Sequence, residues 1–247
     1  MKVSIITAVF NGGDSIAATL QSVAQQDHDA IEHIVVDGAS DDSTLATVRA
    51  NGDRVARLIS EPDNGPYDAF NKGLRSATGD AIAFLNSGDS YVSNSTVSRM
   101  VQSLSCDGIQ AAFADALIVD RNDRDRIIRR YSSRKFSPAR MAYGLMPAHP
   151  SLFLRREVFQ RVGEYDSSFR IAGDFEHCLR VFITASTPYQ YLNDAIVRMP
   201  TGGISNRGWR SKLTITREMY KACALNNVKT NWAKLCLRIP LKMLEMI

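Results

Sequence analysis

The chain is most informative at Glu61-Pro-Asp-Asn-Gly-Pro-Tyr-Asp-Ala-Phe-Asn-Lys-Gly-Leu-Arg-Ser-Ala-Thr-Gly-Asp80, which is followed by Ala81-Ile-Ala-Phe-Leu85 and then by Asn86-Ser-Gly-Asp89. The first part predicts a Gly/Pro turn that enters a helix ending at Gly79, and the apolar run predicts a short buried strand. The strand delivers Asp89 to the carboxyl end of a sheet, where open α/β sheets bind ligands. The segment therefore predicts half of a nucleotide and metal site.

Strands and helices alternate through the first half of the chain. Apolar, often β-branched runs predict the strands, and apolar residues at helical spacing predict the helices between them. The predicted strands are Val3–Val9, Ile34–Val36, Arg57–Ser60 and Ala81–Leu85, with helices over 14–26, over 41–50 and after Pro66. Such alternation implies right-handed crossovers, so we predict a doubly wound α/β domain with a mainly parallel sheet. Neither G-x-G-x-x-G nor G-x-x-x-x-G-K-[ST] occurs, which argues against dinucleotide and P-loop sites.

Charge is distributed unevenly along the chain. The net charge is +4, but residues 1–120 carry seven basic and sixteen acidic side chains, whereas residues 205–247 carry nine basic and two acidic. Residues 121–140 carry eight basic and two acidic side chains, which predicts an exposed hairpin or a flexible loop. No apolar run approaches the roughly 18 residues of a spanning helix, and no signal peptide is recognisable. We therefore expect a cytoplasmic protein without a membrane-spanning helix.

The tail has the pattern of a basic amphipathic helix. One arc carries Trp232, Leu235, Cys236, Ile239, Met243 and Met246, and an adjoining side carries Lys234, Arg238 and Lys242 at a spacing of four. A basic, Trp-anchored helix suits an anionic membrane surface. The alternative is that the apolar arc packs on the rest of the chain or on a second subunit. Nucleic-acid binding is disfavoured, because no recognisable reader motif accompanies the basic residues.

Six segments resemble one enzyme family in their order and spacing. They are Val3-Ser-Ile-Ile-Thr-Ala-Val-Phe-Asn11, Val35-Val-Asp-Gly-Ala-Ser-Asp-Asp-Ser-Thr44, Gly65–Gly79, Leu85-Asn-Ser-Gly-Asp89, His149-Pro-Ser151 and Gly173-Asp-Phe-Glu176. The set is similar to inverting family-2 glycosyltransferases of GT-A fold, and more narrowly to bacterial enzymes of exopolysaccharide or lipopolysaccharide assembly. The resemblance covers roughly residues 1–205. It implies a catalytic domain over 1–205, with a nucleotide-binding half (1–90) and an acceptor-side half (91–205), and a basic helical appendage over 206–247.

The resemblance also implies the reaction and its partners. The donor would be a UDP- or GDP-type nucleoside-diphosphate sugar, and the acceptor a glycan or a sugar on a polyprenyl diphosphate. Such a transfer needs a divalent cation, Mn²⁺ or Mg²⁺, to neutralise the leaving diphosphate, and a base to deprotonate the acceptor hydroxyl. An acceptor confined to the bilayer implies a peripheral enzyme on the inner face of the cell membrane.

Asp89 and Asp37 are the candidate carboxylates of the donor site. By resemblance, Asp89 is the metal-binding member of the family's D-x-D motif, although Ser87 stands where the first carboxylate would be. One carboxylate, water and substrate phosphate oxygens can still hold a hard cation. Asp37 matches the strand-end carboxylate that accepts a hydrogen bond from the base, with Thr7 and Val9 flanking the pocket. A turn or N-cap role is the alternative for both aspartates.

The helix predicted after Pro66 offers three further donor-site candidates. Asp68 matches a family position that lines the nucleotide pocket, and Asn71 and Lys72 follow it on the same helix. Lys72 could reach a phosphate, whereas a solvated surface lysine is the alternative.

The resemblance assigns the general base to Asp174. Residues 171–180 predict a helix whose first turn carries Asp174 and Glu176. An inverting displacement requires one base, ionised before attack, on the acceptor side. Asp174 aligns with that base, and Glu176 is the reserve candidate, because acidic residues are favoured in any first helical turn.

His149, Gly202 and Gly203 are expected on the acceptor and diphosphate side. In the resembling family, the segment around His149 lies beside the acceptor and the diphosphate, and the Gly-Gly-Ile-Ser segment lies on a flexible loop that closes on the donor. Glycines at such a place let the backbone approach a phosphate closely. The alternatives are a histidine satisfied within a loop and a hinge before the tail.

Two other function classes stay open. A nucleotidyltransferase that forms sugar nucleotides has a similar sheet, but it needs an early Gly-rich phosphate loop with Arg and Lys, which Asn11-Gly-Gly13 does not supply. A non-catalytic sugar-nucleotide binding module is compatible with the incomplete D-x-D motif. The presence of both Asp89 and Asp174 favours an active enzyme.

Overall fold

The computed structural model of the chain describes residues 1–203 and 209–243. The strands are β1 Val3–Val9, β2 Ile31–Asp37, β3 Val55–Ser60, β4 Ala81–Phe84, β5 Ser90–Tyr91, β6 Ala111–Val119, β7 Ile127–Tyr131, β8 Phe153–Arg155 and β9 Tyr189–Pro200. The helices are α1 Gly13–Ala24, α2 Thr44–Asn51, α3 Pro66–Ser76, α4 Thr96–Leu104, α5 Arg156–Val162, α6 Gly173–Leu179, α7 Trp209–Leu225 and α8 Trp232–Met243.

A single mixed sheet unites these strands in the order β3-β2-β1-β4-β8-β6-β9-β5, and β7 pairs with β6. Strands β1 to β4 are parallel, as the alternation of strands and helices predicts, and Val9 is in register with Asp37. In contrast, β8 runs antiparallel to both β4 and β6, while β6 and β9 are parallel to each other. The prediction of a mainly parallel sheet therefore holds for residues 1–84 and gives way to a mixed sheet beyond them.

Strand direction gathers the loops of interest at one edge of the sheet. Because β8 is antiparallel to both of its neighbours, β6 and β9 run in the same direction as β1, β2 and β4. The loops that follow these five strands leave the same edge, which we call the carboxyl edge. Asp37, Asp89 and the turn at Gly202 and Gly203 all lie there.

Local chemistry explains the limits of helix α3. Gly65 has a φ of 116°, a conformation that favours glycine, and Pro66 occupies the first turn, where its missing N–H costs no hydrogen bond. The helix ends at Ser76, before its predicted end. It stops there because the main-chain N–H and the hydroxyl of Thr78 both donate to the carboxylate of Glu32.

Apolar side chains cover both faces of the sheet. One cluster joins Ile6, Phe84 and Phe113 to residues of α3, α5, α6 and α7, and a second joins Ile5 and Phe153 to residues of α1 and α4. Helices on both faces confirm the predicted doubly wound architecture.

The two helices of the tail pack against the rest of the chain. Met219 of α7 and Leu235 of α8 are buried in the first cluster. Leu235 therefore packs on the rest of the chain, which was the alternative to an arc that faces lipid. Arg238 was expected on a lipid-facing side and is instead 6% exposed, with its guanidinium donating to the Thr216 hydroxyl at 2.9 Å. Trp232 stays 44% exposed and stacks on Tyr220.

Of the other predicted tail positions, Cys236 is exposed and Lys234 lies over the Tyr143 ring, and four fall outside what the structure describes. These are the side chains of Ile239, Lys242 and Met243 and the whole of Met246. Among the helices within residues 1–203 and 209–243, none is long and apolar enough to cross a bilayer.

Candidate active site

Two loops interlock at the carboxyl edge, one after β1 and one after β2. The Gly13 N–H donates to the Asp42 carboxylate at 3.0 Å, and the Gly12 N–H donates to the Thr44 hydroxyl at 2.9 Å. These bonds satisfy N–H groups at the start of α1 that would otherwise lack partners. A side chain at Gly13 would collide with Ser43, so glycine is needed for the two loops to touch.

Asp37 is fully buried at the end of β2 and is held by hydroxyl groups. Ser40 Oγ donates to one carboxylate oxygen at 2.5 Å, and Ser60 Oγ donates to the other at 2.7 Å. The Ser40 N–H adds to this set at 3.2 and 3.4 Å from the two carboxylate oxygens. The observed bonds hold the turn after β2, and the contact with a nucleobase stays a prediction.

Phe10 is a residue that the motif analysis did not single out. It follows β1 directly, and its side chain is 64% exposed. Its ring lies over Gly38, where an added Cβ would come within 3.4 Å of Phe10 Cδ2. A large exposed aromatic ring next to Asp37 offers a flat surface on which a nucleobase can stack. The sequence signal for it is a large apolar residue just after a strand.

The side chains of Thr7 and Val9 lie beneath the loops. Thr7 is fully buried, and its hydroxyl contacts His33 Nε2 at 3.0 Å. Burial also lowers the pKa of His33 to about 4. Val9 is 4% exposed and packs against Ile16. Thr7 is thus wholly enclosed by the fold and Val9 nearly so, and a nucleotide contact at these two positions stays a prediction.

The three candidates on α3 occupy different environments. Asp68 accepts the main-chain N–H of Asn64 at 3.0 Å. Lys72 forms an ion pair with Glu61 at 3.0 Å and is 3.9 Å from Asp68, so it is already neutralised by acidic neighbours. Asn71 is 5% exposed, and its amide bonds both the N–H and the C=O of Tyr165, at 2.9 and 2.8 Å. Its observed bonds position Tyr165, and the nucleotide contact stays a prediction.

Thr19 holds the loop that carries Asp89. Its hydroxyl accepts the Gly88 N–H at 2.9 Å and donates to the carbonyl of Asp89 at 2.7 Å. Gly88 has a φ of 97°, the left-handed region that favours glycine. These bonds fix the backbone of Asp89, and the hydrogen bonds to its carboxylate come from Asn86.

Asp89 is 7% exposed, and burial raises its pKa to about 7, while the Asn86 amide and the charge of Arg124 act in the opposite direction. Within the described residues no group of three or more His, Cys, Asp or Glu side chains has the arrangement of a metal site. Asp89 is a nearly buried carboxylate, and few neighbouring groups offset the cost of burying its charge. It therefore still fits a cation, provided that water and phosphate oxygens complete the coordination.

Three arginines add positive charge to the carboxyl edge. Arg124 follows β6 and acts electrostatically on Asp89. Arg198 of β9 is in register with Ser90, and its Nε is buried without a hydrogen-bond partner in the described part of the chain. A Cβ added at Gly202 would lie 3.6 Å from Arg121 Nη1. Gly202 and Gly203 are both exposed beside this group, as expected for a loop that can approach a phosphate.

Asp174 lies in the first turn of α6 and is partly exposed. Gly173 packs directly on the ring of Tyr67, which brings the start of α6 against the start of α3. The Tyr67 hydroxyl donates to the carbonyl of Ile171 at 2.5 Å and lies 3.5 Å from Asp174 Oδ1. This contact places the Asp174 carboxylate at the carboxyl edge, next to the start of α3.

Glu176 differs from Asp174 although only one residue separates them. It is 5% exposed, and its carboxylate accepts the Arg180 guanidinium at 2.7 to 3.1 Å and the Asn226 amide at 3.2 Å. Residues two apart do not share a helix face, so the two side chains enter different surroundings. The carboxylate of Glu176 is committed to an internal ion pair, which favours Asp174 as the base.

His149 lies in an aromatic cluster next to Asp174. It is 8% exposed, its Nε2 contacts the Tyr165 hydroxyl at 2.9 Å, and its ring stacks on Phe70 and Phe84. Burial lowers the pKa of His149, and the charge of Asp174 acts in the opposite direction. The ring is packed within this cluster, and its contact with the acceptor and the diphosphate stays a prediction.

Comparison with known proteins identifies the family. The model of "Glycosyl transferase family 2" matches residues 4–163, so the chain belongs to that family. An uncharacterised glycosyltransferase of Mycobacterium tuberculosis is 37% identical over 72% of this chain and 68% of its own length. A "PGL/p-HBAD biosynthesis glycosyltransferase" of Mycobacterium bovis is 27% identical over 82% of this chain and 78% of its own.

Solved structures share the fold. Staphylococcus aureus TarS 1-349 in complex with UDP-GlcNAc superposes with a TM-score of 0.70 at 18% identity, covering 95% of this chain and 70% of that one. Against a longer TarS chain, this chain covers 41% of its length. The mannosyltransferase PcManGT of Pyrobaculum calidifontis, in complex with GDP-Man and Mn²⁺, gives a TM-score of 0.69 at 19% identity, covering 93% and 66%. The predicted GT-A fold is thus confirmed.

Proposed function

We propose that this glycosyltransferase moves a hexose-type sugar from a nucleoside-diphosphate donor to a hydroxyl of a glycan or lipid-linked acceptor, with inversion and with a divalent cation, in the assembly of cell-surface polysaccharide or glycolipid. The observation that carries the proposal is that three carboxylates of the predicted site have different surroundings. Asp89 is buried with little compensation and Asp174 is partly exposed, whereas Glu176 is committed to Arg180.

The donor base binds between Asp37 and Phe10 in this proposal. Asp37 accepts a ring N–H, and Phe10 stacks on the base. The structural neighbours in complex with UDP-GlcNAc and with GDP-Man support a sugar nucleotide of UDP or GDP type. Replacing Phe10 by Ala should weaken nucleoside-diphosphate binding by about tenfold in calorimetry, the effect of losing one base-stacking contact. Leu58→Ala, a substitution at another exposed apolar residue, should leave the affinity unchanged.

Asp89 would hold Mn²⁺ or Mg²⁺ together with water and the oxygens of the donor diphosphate. The cation supplies neutralisation of the charge that develops on the leaving diphosphate. Arg124 and Arg198 contribute positive charge to the same edge, which compensates in part for the missing first carboxylate of the D-x-D motif.

Asp174 acts as the general base in the proposed transfer. Its carboxylate takes the proton of the acceptor hydroxyl while that oxygen forms a bond to the anomeric carbon and the nucleoside diphosphate leaves from the opposite face. The single displacement inverts the anomeric configuration. Tyr67 orients the carboxylate from 3.5 Å, and the cluster around His149 forms the wall behind it.

The acceptor side of the proposal places the protein in the cytoplasm at the inner face of the membrane. A relative named for glycolipid biosynthesis supports a lipid-linked acceptor. On α8, Trp232 and Leu237 are 44% and 49% exposed, which keeps part of the helix available for lipid. Substituting both residues by Ser in the full chain should weaken binding to anionic vesicles in a flotation assay. Unchanged flotation would remove α8 from the membrane contact.

One experiment separates the proposed function from its two alternatives. The pure protein is incubated with UDP- and GDP-sugars, with Mn²⁺ or Mg²⁺ or a chelator, and the products are resolved by anion-exchange chromatography. Release of a nucleoside diphosphate that the chelator abolishes is the expected result, and the anomeric signal of the product by NMR tests inversion. Pyrophosphate would indicate a nucleotidyltransferase. Calorimetric binding without turnover of any donor would indicate a binding module.

A further inference from the structure

The hairpin formed by β6 and β7 borders the candidate active site without a role in the proposed chemistry. Residues 120–126 connect the two strands and extend from the carboxyl edge. The Thr201 N–H donates to the Val119 carbonyl at 3.0 Å, and the charge of Arg124 reaches Asp89. The tip of the hairpin thus lies beside the loop that carries Asp89.

Two large apolar side chains are exposed on this hairpin. Ile127 is 51% exposed and Ile128 is 45% exposed, although β7 is part of the sheet. The register explains this exposure, since Val119 pairs with Ile127 and Ile118 pairs with Arg129, which leaves Ile128 as a bulge. A β-bulge re-aims side chains and ends regular pairing. The adjacent side chains of Ile127 and Ile128 project into solvent, and we call this pair the apolar tip. Packing in the core does not explain their position.

Basic side chains surround the apolar tip. Arg121 and Arg126 are exposed, and Arg129 is partly exposed. The acidic residues of the turn serve its geometry, since the Asp120 and Asp123 carboxylates accept the main-chain N–H groups two residues ahead of them. Residues 120–129 carry four arginines and three aspartates, and the guanidinium groups of the arginines match the geometry of phosphate oxygens. An apolar tip flanked by arginines is complementary to a bilayer with anionic headgroups.

We propose that this hairpin docks on an anionic membrane surface, with Ile127 and Ile128 entering the interfacial layer and the arginines binding lipid phosphates. A second copy of the chain is a poorer occupant, because self-association would bring the same arginines together. Docking at this point turns the carboxyl edge, with Asp89, toward the bilayer. The benefit of that orientation, access to a lipid-linked acceptor, rests on the proposed function, whereas the docking itself does not.

Vesicle flotation of the full chain tests the docking directly. The wild type is mixed with phosphatidylcholine vesicles with or without about 30% phosphatidylglycerol, at low salt and at about 0.5 M salt. Binding should require the anionic lipid and fall at high salt. The double substitution Ile127→Ser with Ile128→Ser, and separately Arg126→Ser, should lower the partition coefficient, by about tenfold or more for the isoleucine pair. Leu58→Ser is the matched control, because Leu58 is 37% exposed on β3 at the far edge of the sheet.

Two further measurements keep the result interpretable. Thermal melting and donor hydrolysis in solution should be unchanged in the hairpin variants, so a loss of flotation cannot be attributed to unfolding. If the wild type hydrolyses no donor, the proposed function fails while the flotation result still stands. The docking proposal is overturned if the wild type ignores anionic vesicles or if the isoleucine variant floats as well as the Leu58 control. It is also overturned if light scattering shows that the hairpin variants dissociate an oligomer, since the surface then belongs to a second copy.

Discussion

Two carboxylates with the same exposed fraction lie at opposite edges of the same sheet, and their acidities differ widely. Glu32, near the start of β2, and Asp89, after β4, are each 7% exposed. Burial acts to raise the pKa of Glu32, but hydrogen bonds from Ser4, Thr78 and Lys2 outweigh it and lower the pKa to about 2. At Asp89 burial prevails, and the pKa rises to about 7.

This difference distinguishes a carboxylate that stabilises the fold from one that awaits a ligand. Glu32 receives the hydroxyls of Ser4 and Thr78 at 2.5 and 2.6 Å, the Thr78 N–H at 2.7 Å and the Lys2 ammonium at 3.1 Å. Asp89 is fixed through its backbone, and its carboxylate gains little compensation. Strong perturbation by burial at a cleft is typical of functional groups. Within α6, similarly, Glu176 is buried with Arg180 and Asn226, whereas Asp174 is partly exposed.

The largest effect should come from Asp89→Ala, which removes the one carboxylate of its loop. We expect cation-dependent release of nucleoside diphosphate to be lost, while the melting temperature stays the same or rises, because a buried carboxylate with little compensation contributes no net stability. Chromatography of the products and circular dichroism check the two parts. Asp107→Ala, at an exposed turn after α4, is the matched control. Turnover that survives the substitution, or that persists in chelator, would remove Asp89 from the site.

Asp174→Asn should lower the transfer rate by roughly 10²–10⁴-fold, the usual range for loss of a general base. The substitution keeps the shape of the side chain and removes its ability to accept a proton, so donor affinity should change little. Steady-state transfer to an acceptor and calorimetry with the donor measure these two quantities. Were Glu176→Gln to abolish transfer in a folded protein while Asp174→Asn did not, the base would have to be reassigned to Glu176.

Glu176→Ala should act on stability rather than on chemistry. Removing one partner of a buried ion pair costs about 3–5 kcal/mol, because the Arg180 guanidinium is left without its counter-charge. Urea unfolding measures the loss, and the transfer rate per folded molecule should remain near that of the wild type. Glu164→Ala, which breaks the exposed pair with Arg75, should cost about 1 kcal/mol or less. Equal costs for the two substitutions would contradict the structural role of Glu176.

Local patterns sufficed to predict the parallel half of the sheet and the strand-end carboxylates. Each of β1, β2 and β4 contains an apolar run, and a turn residue follows it, so Asp37 and Asp89 could be placed from sequence. The mixed half could not be predicted in this way. Beyond Asp89 strands no longer alternate with helices, and the antiparallel direction of β8 depends on pairing with β4 and β6.

Residues that act through distant contacts left no local signal. Thr19 reaches Asp89 across 70 positions, and Asn71 reaches Tyr165 across 94. Helical periodicity placed Arg238 on a basic side, but it could not show that the guanidinium would bond Thr216, because the long apolar stem of arginine suits burial and exposure alike. Arg198 is a candidate for the positive charge at the carboxyl edge only because β9 pairs it with Ser90, which no local pattern indicates.

The smallest effect concerns Glu32 and tests the comparison through its pH dependence. Because folding lowers the pKa of Glu32 from 4.5 to about 2, its charge contributes fully above pH 4.5 and is lost as the pH falls toward 2. The shift corresponds to about 3 kcal/mol, so Glu32→Gln should lose up to that amount at pH 7 and almost nothing near pH 2.

Urea unfolding of both proteins at several pH values measures this convergence. Burial also lowers the pKa of His33 to about 4, which reduces stability as the pH falls below 6.5, but this occurs equally in wild type and variant and cancels in their difference. Glu157→Gln, at an exposed glutamate bonded to Gln110, is the matched control. A difference between wild type and Glu32→Gln that stays constant from pH 7 to pH 3 would mean that the shape of the network, and not the charge of Glu32, stabilises this edge. The contrast with Asp89 would then lose its electrostatic basis.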